Sequence, residues 1–61
     1  MITISEIDKS TGLVTGVNAR STDTLGDSVE GVGVANGAVC VFVDTGNAAL
    51  YDKEGQKWTQ I

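Results

Sequence analysis

Sixty-one residues with one cysteine, no histidine and no proline make at most one small domain, with neither an internal disulfide nor a Cys/His zinc site to staple it. Eight acidic residues face four basic ones for a formal charge of −4, and the acids are scattered. Phosphate binding needs clustered Lys and Arg, so a nucleic-acid surface is excluded, and the charge reads as ordinary surface solubility.

The chain is read as a single domain, residues 1–61, in three zones. In the first, residues 1–17, Ile2 and Ile4 alternate with Thr3 and Ser5, the period of a half-buried strand. Asp8-Lys9-Ser10-Thr11-Gly12 is a turn cluster, and Leu13-Val14-Thr15-Gly16-Val17 returns as a second strand, completing an N-terminal hairpin. No basic segment followed by an apolar one opens the chain, and no apolar stretch reaches bilayer length. We therefore expect synthesis in the cytoplasm and no membrane partner.

Residues 18–37 hold Gly26, Gly31, Gly33 and Gly37 and show no sustained period. A helix over 24–30 is conceivable, but Gly26 opposes it. The preferred reading is an extended arm that orders along a neighbour, with a flexible connector as the alternative.

Residues 38–61 give the clearest signal. Ala38-Val39-Cys40-Val41-Phe42-Val43, Asn47-Ala48-Ala49-Leu50-Tyr51 and Gln56-Lys57-Trp58-Thr59-Gln60-Ile61 are separated by Asp44-Thr45-Gly46 and Asp52-Lys53-Glu54-Gly55. Such runs and turns predict a three-stranded antiparallel meander. Three-residue loops ending at left-handed Gly46 and Gly55 would place Phe42 opposite Ala48, Cys40 opposite Leu50, and Leu50 opposite Trp58. One face would then carry Cys40, Phe42, Leu50 and Trp58, the other Val39, Val41, Val43, Ala49, Tyr51 and Ile61. A two-residue first turn would exchange the partners. In either register residues 39–43 are apolar on both faces, so the N-terminal hairpin is expected over one face and another subunit over the second. The fold class that follows is all-β: a small antiparallel meander with an N-terminal hairpin and a long connecting arm. Val39, Val41, Val43, Tyr51, Trp58 and Ile61 are the candidate interface residues.

Several segments imitate chemical motifs. Val43-Asp44-Thr45-Gly46 has the form of an aspartic protease loop, which needs two carboxylates sharing a proton. Only fifteen residues follow Gly46, too few for the flap and second apolar-Gly segment of a retroviral-type enzyme. A hairpin turn with Asp44 capping nearby N–H groups explains the same residues. The Gly31-to-Gly37 segment precedes a strand instead of opening a helix, so it is not a dinucleotide loop. Asp23/Asp27 and Asp52/Glu54 lack the dense alternation of a calcium loop. Cys40, between Val39 and Val41 with no base nearby, reads as a small buried hydrophobe. No catalytic, cofactor-binding or metal-binding residue is assigned, and no enzyme is expected.

From Ser21 onward the chain resembles a family of short bacteriophage and prophage virion-associated proteins of Gram-positive hosts. The likeness rests on Ser21-Thr22-Asp23-Thr24, Asn36-Gly37, Asp44-Thr45-Gly46, Tyr51-Asp52 and Trp58. It covers about two-thirds of the chain and departs at Leu25-Gly26, where Pro is common, and at Ala48-Ala49, where larger and aromatic residues stand. The resemblance implies a non-enzymatic virion structural protein, a head decoration or cement protein or minor component. It would act by strand addition and apolar packing on its own copies, a homo-oligomer with a trimer favoured because capsid three-fold sites invite one, and on other virion proteins. A tail or baseplate component, or a phage-encoded regulator or inhibitor of a host or defence protein, is the alternative.

Overall fold

Period-2 patterning and β-branched residues carry just over half of the chain into strands. The computed structural model describes all 61 residues. Its strands are β1 (Thr3–Ile7), β2 (Val14–Ala19), β3 (Ser28–Val29), β4 (Val32–Phe42), β5 (Ala48–Asp52) and β6 (Lys57–Gln60). They form a mixed sheet in the order β1-β2-β4-β5-β6, with β3 paired to β4 beside that path. The fold is all-β, as the sequence reads.

β1 and β2 are the expected antiparallel hairpin, with irregularities around Glu6. It does not lie over the meander. Instead β2 joins the sheet edge-on, parallel to β4, with Val17 opposite Cys40 and Ala19 opposite Phe42. The purely antiparallel architecture is thus corrected to a mixed sheet with one parallel pair. Parallel strands need a connection of about a dozen residues or more, and residues 20–31 supply it.

That connection is not an extended arm throughout 18–37, and it holds no helix. Asn18 and Ala19 complete β2, β3 forms a tight hairpin with β4, and β4 begins at Val32. The Glu30-Gly31 turn has φ of 51° and 80°, the double left-handed pattern of a type I′ turn. Gly37, with φ 81°, lies in a bend of β4 between the Val14–Val34 and Gly16–Val39 pairings. The strand's first half therefore serves β3, and its second half serves β5.

Both meander turns are one residue longer than read. Phe42 donates to the Asn47 carbonyl and accepts from Gly46 N–H, so residues 43–46 form the first loop and Val41 pairs with Ala48. Asp52 pairs with Lys57, and the left-handed residue of the second loop is Gln56 (φ 55°), not Gly55. Gly55 leaves room for the Asp52 carboxylate, one oxygen of which would lie 2.7 Å from a Cβ there while the other accepts the Gly55 N–H at 3.1 Å. This one-residue change exchanges the faces of β5. Ala49 and Tyr51 point inward with Cys40, while Leu50 points outward with Val39 and Val41.

The core comprises Val14, Val17, Ala19, Val29, Val34, Ala38, Cys40 and Tyr51, with Leu25, Phe42 and Trp58 packed against it. Its largest fully buried side chains are three valines and Cys40. At about 1.5–2 kcal/mol per buried valine, stability is modest, and backbone strain matters. Glu30→Asn, which gives the preferred Asn-Gly pair, should raise stability by about 0.5–1 kcal/mol, or a few degrees in thermal melts followed by circular dichroism. Gly55→Ala should lower the melting temperature. An unchanged melting temperature for Glu30→Asn would refute the type I′ turn.

Candidate functional site

The connection between β2 and β4 crosses the inner face of β5 and β6 and is fixed there by Trp58. The Trp58 indole N–H donates to the Gly26 carbonyl at 3.0 Å. Its ring packs on Tyr51 with centroids 5.0 Å apart and planes at 46°, the tilted arrangement that aromatic pairs favour. Between connection and sheet lies an open cleft of about 510 Å³, with Leu25, Phe42, Tyr51 and Trp58 as its apolar wall and Asp23, Asp27 and Lys57 among its polar lining.

Two carboxylates hold the start of this connection. Asp23 accepts the Arg20 N–H at 2.9 Å and the Met1 amino group at 3.0 Å. Asp44 accepts the Ser21 N–H at 2.9 Å and the Ser21 hydroxyl at 2.6 Å. The capping role expected of Asp44 is therefore corrected from local to long-range: it ties the β4–β5 turn to the end of β2. Val43 N–H donates to the Ala19 carbonyl beside it. The bonds from Ser21 hold the Asp44 carboxyl below the ordinary value of 3.8. The Arg20 N–H and the Met1 amino group do the same for Asp23, and Ser10 does so for Asp8.

In chemical terms the Asp44–Ser21 pair is a hydroxyl against a weakly basic carboxylate, with no imidazole to activate it. Burial raises the Cys40 thiol above its ordinary value, away from the reactive thiolate. No group of three or more acidic or cysteine side chains converges as a metal site.

The candidate interface residues separate. Val39, Val41 and Val43 stand on the outer face, 38%, 40% and 59% exposed, and Ile61 is 77% exposed at the chain end. Tyr51 is only 3% exposed, and Trp58 lies half-buried on the same inner face, so these two hold the fold together. Leu50, at 42% exposure, joins the outer valines, and the sequence reading missed it because its register placed Leu50 on the opposite face, with Cys40 and Trp58. The Ser21–Asp44 link was also missed. Its only signal was two short polar motifs 23 residues apart, with no periodicity to connect them.

No protein-family model, curated protein or solved structure matches this chain.

Two predictions test this site. Trp58→Phe keeps the aromatic packing but removes the hydrogen bond to the Gly26 carbonyl, so stability should drop by about 1 kcal/mol in urea unfolding, and a silent substitution would show that the connection is not pinned there. The second concerns acid. Because Asp8, Asp23 and Asp44 titrate lower folded than unfolded, their contribution is complete above the unfolded value and lost as pH falls through the folded one. The melting temperature should therefore decline below about pH 4, and the decline should be shallower in Asp44→Asn. Equal slopes for the two proteins would remove Asp44 from the account.

Proposed function

We propose that this chain is a non-enzymatic structural component of a bacteriophage virion, a head decoration or cement protein or minor component that works by subunit packing. The observation that carries the reading is the outer face of the sheet, where Val39, Val41, Val43 and Leu50 stand exposed together and no element of the chain covers them. Exposed apolar side chains in one contiguous group mark a contact surface. The chain is also small, without disulfide or metal, and such scaffolds gain stability from association. The family resemblance of residues 21–61 supplies the setting.

In this reading the partners are other copies of the chain, with a trimer expected on the particle at three-fold sites, and other virion proteins. Nucleic acid, membrane and cofactor play no part. The protein is made in the bacterial host cytoplasm and ends in the virion.

Quantitative mass spectrometry of purified particles from the phage or prophage that encodes the chain is the test. Many copies per particle are expected. Complete absence from particles that contain their other structural proteins would overturn the proposal.

A further inference from the structure

The pairings locate every residue of the outer face. Directly opposed residues share a face, so Val41 lies in a row with Asn18 and Ala48, and Thr3 continues the row on β1. Val39 lies in a row with Gly16, Leu50 and Thr59. These two rows cross β1, β2, β4, β5 and β6 without a charged side chain until Glu6, opposite Gly16 on β1. Asp52 and Lys57 stand beyond them, at the ends of β5 and β6.

We infer that, off the particle, this face is occupied by a second copy of the chain, the two sheets stacked face to face about a two-fold axis. The inference rests on the packing function proposed above and names the partner of that same surface. Three features favour an identical partner. The chain carries a formal charge of −4, so two copies repel wherever their acids meet, and the two central rows are the part of the surface where they do not. The side chains are small or branched and uncharged, which makes the patch complementary to itself.

The third feature is area. The molecule measures 31 × 21 × 15 Å, so its broad side offers at most about 650 Å² per copy, at the lower end of the roughly 600–1,000 Å² per partner of a stable interface. A contact limited to the two rows would fall short; full overlap suffices, with Glu6, Asp52 and Lys57 at the rim of the contact. Sheets stacked about 10 Å apart would complete the two-layer architecture of which a single copy has only the inner half. A flat face meeting its own copy closes as a pair.

The experiment is sedimentation equilibrium on the isolated full chain at tens of micromolar, with circular dichroism as the check on folding. Twice the 6.3 kDa chain mass is expected. Val41→Lys should give a folded monomer, and so should Val41→Thr combined with Leu50→Thr, which retains strand propensity if the lysine disrupts β4. A wild-type monomer, a three-chain mass, or a dimer whose mass survives both variants would overturn the face-to-face pair. None of those outcomes bears on whether the protein is found in particles, so the virion reading stands or falls separately.

Discussion

The parallel pairing of β2 with β4 is the contact on which the other elements depend, because it forbids a short connection. A tight turn after Ala19 would have returned the chain antiparallel. To run beside β2 in the same direction, the chain must leave the sheet, cross it and re-enter. That detour supplies the cover of the inner face: Val29 enters the core, Leu25 packs beside it, and the Gly26 carbonyl meets the Trp58 indole. The length of residues 20–31, odd for a connector between antiparallel strands, follows from this geometry. So does the bend at Gly37, which lets one long strand pair with β3 before it pairs with β5.

The acidic excess has a local origin. Of the eight acidic residues, Asp8 caps Ser10, Asp23 caps Arg20, Asp44 holds Ser21 and Asp52 accepts the Gly55 N–H. Half of the negative charge thus satisfies backbone donors at turns, a task for which a short carboxylate is well suited. Because these carboxylates sit at loops, the middle of the outer face stays uncharged. Turn chemistry and surface character are therefore coupled: the residues that close the loops also move charge to the margin of the sheet.

Much of this was legible in the residues, and what was not has a definite cause. The alternation around Ile4, the run from Ala38 to Val43 and the Gly-containing breaks identify β1, β2, β5, β6 and the second half of β4, since side-chain period depends only on neighbours along the chain; β3 and the first half of β4 fell in the zone read as an arm. The faces of β5 depend on loop length, and a single residue reverses them. Gly55 invited a left-handed assignment that belongs to Gln56, because glycine serves there to admit the Asp52 carboxylate, a use that looks identical in sequence. The parallel pairing left no local mark at all. Val14 and Val17 pattern alike whether their neighbour runs parallel or antiparallel, and only the length of the connection distinguishes the cases. Of the residues read as exposed, the outer valines stand in the solvent as expected, whereas Tyr51 and Leu50 exchanged faces with the register.

An open sheet can associate through its edges or through a face, and the two are not equally available here. β1 is an edge with irregular pairing around Glu6, and a bulged, charged edge is a poor template for another strand. β6, the opposite edge, offers only four residues, Lys57–Gln60, beginning with a lysine. Strand addition is thus resisted on both sides by features that natural sheets use to stay apart. The outer face has no such protection: nothing bends away, and no charge interrupts the Val39 and Val41 rows between β2 and β6. Apolar packing of that face, more than extension of the sheet, is the mode of assembly that this sequence leaves open.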